Sequence, residues 1–208
     1  CAAAVIMAAG CAQKTTSGPQ FMDYASFEAD RIEMIFHAGN DSMLCDEVDN
    51  PLKSSVNSTD RCGRVISGGG ENEFIWSEPF GRNFDFTANP PIFKMKVLAP
   101  KAGLRVWMKL EPERLDCGVA PVEVKNVRTT KAGEWEELVF DFSNLSPRSS
   151  WYRKIVLMFD AGNTTFDQEW YFDEITGPSD DLTKISLFKR YEGSLFTALI
   201  NVWIKKAN

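Results

Sequence analysis

The chain has 208 residues, 44% hydrophobic and 25% charged, which is enough apolar material for one folded domain with tails. A net charge of -6 without any lysine or arginine run sets aside nucleic-acid binding, which needs a basic patch to neutralise phosphates. The single histidine, His37, leaves a Ser-His-Asp triad or a histidine-rich zinc site without material.

Residues 1–20 read as a partial export signal and tether. Ala2 to Gly10 is a run of small apolar residues, too short to span a bilayer, and it ends at Ala8-Ala9-Gly10-Cys11. That ending has the form of a bacterial lipoprotein signal, with Cys11 as the lipid-modified residue. A secretory signal cleaved without lipidation is the other export reading, and a chance apolar N-terminus is the plain one. Gln13 to Gln20 is polar with Gly and Pro, as a flexible tether is. Either export reading places the chain outside the cytoplasm, and the lipidated one places it in the bacterial cell envelope as an outer-membrane lipoprotein. Its only membrane contact would then be the lipid.

Residues 21–177 form the expected folded domain. By propensity, Phe27 to His37 suits an amphipathic helix, although a first strand at Ser26-Phe27-Glu28 competes with it. The spacing of Cys45, Cys62 and Cys117 matches no metal motif. A Cys45–Cys62 disulfide is possible in an oxidising compartment, but three separate half-buried thiols are the simpler expectation. Gly68-Gly69-Gly70 lacks the Lys-Ser/Thr of a phosphate loop and reads as a turn. Asn57-Ser58-Thr59 and Asn163-Thr164-Thr165 fit a glycosylation sequon, which carries little meaning in a bacterial lipoprotein.

Later segments alternate with the period of strands. Phe93, Met95 and Val97 share one face, as do Ile155, Leu157 and Phe159. Leu104, Val106, Met108 and Leu110 oppose Arg105, Trp107, Lys109 and Glu111. Leu138, Phe140 and Phe142 oppose Trp135, Glu137, Val139 and Asp141. Strands of this kind need a second sheet to cover them, so the expected class is all-β, a two-sheet antiparallel β-sandwich. Pro100-Lys101-Ala102-Gly103 and Lys131-Ala132-Gly133 suit the turns between strands. Residues 178–208 read as a linker and an apolar tail, or as the start of a truncated second domain.

Four blocks in order carry a family resemblance. They are Asn50 to Thr59, Phe93 to Gly103, Ala132 to Phe142 and Trp170 to Ile175. Together they resemble the jelly-roll, galactose-binding-like carbohydrate-binding modules of secreted bacterial polysaccharide-utilisation lipoproteins. The resemblance covers about Phe27 to Ile175. It implies a jelly roll that binds polysaccharide, encoded beside or attached to a glycoside hydrolase. It makes Ser26-Phe27-Glu28 the first strand. It also implies a structural Ca2+ held by Glu28 of the first strand and Asp173 of the last, with loop carbonyls completing the oxygen shell. Glu174 stands where Asp is commoner in the family. Trp76 matches an aromatic position of the pattern, and Glu134-Trp135-Glu136-Glu137 gives Trp135 a structural role.

Sugar recognition requires flat aromatic faces for pyranose C–H groups and polar groups for hydroxyls. Trp107 shares a polar strand face with Arg105, Lys109 and Glu111, where a Trp has no core reason to be. These residues, with Trp76, are the expected ligand-binding set. Trp151-Tyr152 lies in a loop that could rim a site. A competing signal is Glu28, Asp30 and Glu33, whose spacing resembles the catalytic signature of family 16 laminarinases. There one carboxylate would serve as nucleophile and another as acid. Three acids at that spacing also arise by chance in acidic sequence, and those enzymes carry theirs mid-chain among Trp-rich strands. The expected function is therefore non-catalytic polysaccharide binding, with a laminarinase-like hydrolase, or an accessory module of a longer one, as the alternative.

Overall fold

The computed structural model describes residues 21–28, 34–80, 83–87, 89–147 and 151–178. Cys11, Asp30, Glu33 and the apolar tail, each singled out by the sequence, lie outside the described residues. Within them there is no α-helix, and eleven strands form two antiparallel sheets. This is the two-sheet antiparallel sandwich expected from the alternations, and the class to which the jelly roll implied by the resemblance belongs.

The strands are β1 (Phe21–Ala25), β2 (Phe36–Ala38), β3 (Leu44–Asp49), β4 (Arg61–Gly68), β5 (Ile75–Ser77), β6 (Ile92–Leu98), β7 (Arg105–Glu111), β8 (Val122–Arg128), β9 (Trp135–Asp141), β10 (Lys154–Phe159) and β11 (Phe166–Pro178). The large sheet runs β3-β4-β11-β6-β9, and β1 also pairs with β11. The small sheet runs β2-β5-β10-β7-β8. β11 is the hub, since β4 takes the first part of one edge, β1 takes the rest, and β6 takes the other edge.

The core lies between the sheets. Phe93, Met95 and Val97 of β6 and Phe140 of β9 are fully buried, and so are Val106, Met108 and Leu110 of β7 and Ile155 and Leu157 of β10. Tyr24, Phe84, Phe93 and Phe142 meet edge to face or tilted at one end, with centroids 5.2–5.9 Å apart. At the other end, Phe27, Phe36 and Phe159 gather around Phe172. Gly63 of β4 lies beneath that cluster, where a Cβ would come within 2.5 Å of the Phe172 ring and 2.7 Å of Phe27.

One local expectation needs correction, one open alternative is excluded, and one residue's surroundings are located. First, the first strand is Phe21–Ala25, so Ser26-Phe27-Glu28 lies beyond it. Phe27 takes a left-handed φ of 57°, which turns the chain away from β11 and drops its ring onto Phe172. Second, Cys45 pairs in register with Val65 while Cys62 pairs with Val48. That three-residue offset holds their Cα atoms about 11 Å apart, beyond disulfide reach. Both thiols are free, and burial pushes each up to about 12. Third, Trp135, to which the resemblance gives a structural role, is covered even though it lies on the polar face of β9. It is 1% exposed although it stands outside the inter-sheet core.

The cover over Trp135 is the β3–β4 connection. Asn50 Oδ1 accepts hydrogen bonds from Trp135 Nε1 at 3.2 Å and from Leu52 N–H. At the far end of the same loop, Asn57 Nδ2 and Thr59 Oγ1 donate to Asp173 Oδ2 at 2.7 and 2.5 Å. The loop that opened the family resemblance therefore acts as a strap, tied to Trp135 at one end and to the last strand at the other.

Candidate functional site

The outward face of the small sheet holds the site. Strand register decides which residues meet there, because directly paired residues share a face. One row crosses the sheet as His37, Trp76, Val156, Lys109 and Glu123. Along β10, Met158 lies two residues beyond Val156 and pairs with Trp107. Trp76 and Trp107 thus flank β10 diagonally, about 12 Å apart by strand spacing and rise. Val156 and Met158 lie between them, giving a short apolar strip on an otherwise polar face.

Both rings are half-buried. Trp76 is tilted against His37, with centroids 4.8 Å apart, and Lys154 Nζ stands 6.0 Å over its ring. His37 Nε2 lies 3.1 Å from Glu78 Oε1. Trp107 has Arg105 Cζ at 5.4 Å and Lys125 Nζ at 5.0 Å from its ring centroid. Its Nε1 is buried with no hydrogen-bond partner. The polar edge of that indole is hidden, so its aromatic carbons are what the ring offers to solvent.

Charged side chains frame the strip. Glu111, 7% exposed, receives Lys109 at 2.8 Å and Lys154 at 3.4 Å. Glu123 receives Lys125 at 2.5 Å and Lys109 at 3.8 Å. Arg105 is braced from behind by the loop after β10. Its Nη2 donates to Ala161 O at 2.5 Å, and Asp160 N–H donates to Arg105 O at 2.7 Å. Asp160 takes a left-handed φ of 52°, and its carboxylate accepts from Asn163 and Gln168. These contacts fix the loop that holds Arg105.

The structure therefore brings Trp76, Trp107, Arg105, Lys109 and Glu111 onto one face. Sequence reasoning missed Lys125, Glu123, Lys154, Val156 and Met158. The alternation of β8 and β10 was the available signal, but the neighbour order β5-β10-β7-β8 was needed to use it. Trp151 is 41% exposed, and Tyr152 is buried with its hydroxyl donating to Ala120 O.

Glu28 and Asp173 lie at a different place, beneath the strap. Glu28 Oε1 accepts the backbone N–H groups of Asp60 at 2.7 Å and Arg61 at 3.1 Å. Asp173 is fully buried and also accepts Glu174 N–H at 2.7 Å. A register shift between Asp173 and Thr176, with Glu174 at a φ of 42°, interrupts the pairing with β6 there. Burial pushes Asp173 up to about 7 against the pull of its Thr59 and Asn57 hydrogen bonds, and the nearby Asp23 pushes the same way. Lys96, the cation that opposes this, is paired with Glu174. Among the described residues no group of three or more acidic, histidine or cysteine side chains is placed to hold a metal, so an ion at Glu28 and Asp173 would need backbone carbonyls for the rest of its oxygen shell.

No family model matches the chain, and no curated protein sequence does. Solved structures with a similar fold do exist. One is the CBM22-1–GH10 part of the Clostridium thermocellum xylanase 10B complexed with xylohexaose, at 13% identity and a TM-score of 0.48. The match covers 78% of this chain and 29% of that one, so this chain spans less than a third of it. A second is the family 30 carbohydrate-binding module of the Clostridium thermocellum cellulase Cel9D-Cel44B, at 10% identity and a TM-score of 0.48, covering 71% of this chain and 92% of that one. A third is the CBM22-2 xylan-binding domain of Paenibacillus barcinonensis Xyn10C, at 12% identity and a TM-score of 0.46, covering 74% and 98%.

Proposed function

We propose that the chain is a non-catalytic polysaccharide-binding module whose site is the outward face of the small sheet. The observation that carries this reading is the placement of Trp76 and Trp107 diagonally across β10. Pyranose rings would stack by their C–H faces on the two indoles, with the half-buried Met158 between them. Lys109, Glu111 and Arg105 would hydrogen-bond the hydroxyls at the rim. One shallow face of this kind supports affinity on the order of micromolar to millimolar. A lipid on Cys11 would hold the module at the bacterial envelope, beside a depolymerase, and offset that weakness by raising local concentration. Glu28 and Asp173 would hold a structural Ca2+ that clamps the strap to β11. The ion would supply charge neutralisation there, and it takes no part in sugar contact.

The test is a pull-down and glycan-array screen with the purified chain, repeated with the Trp76→Ala/Trp107→Ala double variant. Retention by at least one polysaccharide, lost in the double variant, supports the reading. No retention by any glycan removes it, as does retention that the double variant keeps. Calorimetric titration with calcium, followed by thermal melting, tests the ion separately. Absence of both heat and a rise in Tm eliminates it.

A further inference from the structure

The charge of the chain is unevenly divided between its two sheets. Around the large sheet, Arg61, Arg64, Lys94 and Lys96 pair with six acids: Asp46, Glu47, Asp49, Glu137, Glu169 and Glu174. The outward face of the small sheet reverses this balance. Lys109, Lys125 and Lys154 share only Glu111 and Glu123. Arg105 adds a fourth cation, and its guanidinium donates to the carbonyl of Ala161. Arg128 adds a fifth, donating to the carbonyl of Gly103.

Counting Glu78, which shares this face at the Trp76 end, five cations stand against three carboxylates, a surplus of two positive charges in a chain whose net charge is -6. The surplus gathers at the Trp107 end, because Glu78 accompanies His37 at the Trp76 end. Arg105 and Arg128 are also direct cross-strand partners. Like charges directly opposite each other on a sheet cost stability, and an anion bound between them would relieve that cost. Two of these cations, Arg105 and Lys125, stand over the Trp107 ring itself. A saccharide stacking there meets a guanidinium and an ammonium at the edge of the same ring.

We infer that the ligand of this face is an acidic polysaccharide, one whose sugars carry carboxylate or sulfate groups. The inference rests on the carbohydrate-binding reading above and names its substrate class. The indoles would take the sugar faces, while Arg105, Arg128 and Lys125 would take the anionic substituents. At physiological salt the attraction reaches only about 8 Å. The local surplus therefore decides the encounter, and the acids of the large sheet are screened from it.

The experiment compares polygalacturonate with its fully methyl-esterified form, which has the same backbone without the charge. It also compares a sulfated galactan with unsulfated galactan, so that carboxylate and sulfate are read separately. Binding of the whole chain is measured by calorimetry or affinity electrophoresis at low and high salt. At least one charged polymer is expected to bind tenfold or more tightly than its neutral partner, with that preference collapsing at about 0.5 M salt. Arg105→Gln, Arg128→Gln and Lys125→Gln should each lower affinity for the charged form more than for the neutral form, by roughly two- to fivefold. Trp107→Ala, checked for folding by circular dichroism, should lower binding to both by a similar factor, about tenfold.

Equal binding of charged and neutral partners overturns the inference and leaves carbohydrate binding standing. Binding of the charged polymers that survives Trp76→Ala/Trp107→Ala overturns it too, as simple adsorption to a basic surface. Failure of all four polymers, with some other neutral glycan bound, overturns this inference alone. Failure with every glycan overturns both readings.

Discussion

Trp135 and Trp107 start from the same position in the fold. Each stands on a strand with its side chain on the face away from the inter-sheet core. Trp135 ends 1% exposed, its Nε1 donating to Asn50 under the β3–β4 strap. Trp107 stays half-open, with Met158 as its cross-strand partner and Arg105 and Lys125 over its ring. The strand pattern is common to both, and the difference is a loop that crosses one and not the other. An outward Trp is structural where a segment from elsewhere closes over it, and available to a ligand where none does.

The largest expected effect comes from breaking the covered side. Trp135→Ala should destabilise the protein by about 3–5 kcal/mol, because it empties a sealed site beneath the strap. Chemical denaturation would show it as a lower midpoint with an unchanged slope. An effect within 0.5 kcal/mol would mean that the strap does not seal the ring.

The far anchor of the strap gives a pH dependence. Asp173 is pushed up to about 7, above its ordinary 3.8, by burial in the fold. The folded state therefore holds this proton more tightly than the unfolded chain does. The stability it contributes is fully present below about pH 4 and is lost as pH rises through about 7. In a calcium-free buffer the loss should amount to at most about 4 kcal/mol. It is read as the difference between the wild type and Asp173→Asn, which lacks the titration. If calcium binds at Glu28 and Asp173, adding it should flatten that difference, since the ion holds the carboxylate ionised.

On the open side, Trp76→Ala/Trp107→Ala should lower polysaccharide affinity by about 10- to 100-fold, the scale of burying aromatic surface against a sugar face. Its Tm should fall far less than that of Trp135→Ala. A double variant that melts as low as Trp135→Ala would place these indoles among the structural ones. The smallest expected effect is that of Asn50→Ala, at about 1–2 kcal/mol. It leaves Trp135 Nε1 buried without an acceptor and frees the near end of the strap. Hydrogen exchange at the Trp135 indole would report the opening even where Tm barely moves.

Much of the sandwich was legible beforehand. The alternations of Phe93-Met95-Val97, Leu104-Val106-Met108-Leu110 and Ile155-Leu157-Phe159 survive as core positions, because one buried face forces a period of two. The first strand was misplaced, since a left-handed turn at Phe27 is not encoded by a residue type that favours it. Trp76, Trp107, Arg105, Lys109 and Glu111 were singled out individually. That they share a face with Lys125 and Lys154 depends on β10 lying between β5 and β7 and on β8 closing the edge.

The sequence by itself determined the all-β class, the inward sides of β6, β7, β9 and β10, and the shortage of material for histidine chemistry. All of these follow from local composition and from the period of the pleat. Only the tertiary structure decided which indole lies beneath the strap, and which cations crowd onto one face of an acidic chain. Both depend on contacts between segments tens of residues apart, which hydrophobic patterning does not specify.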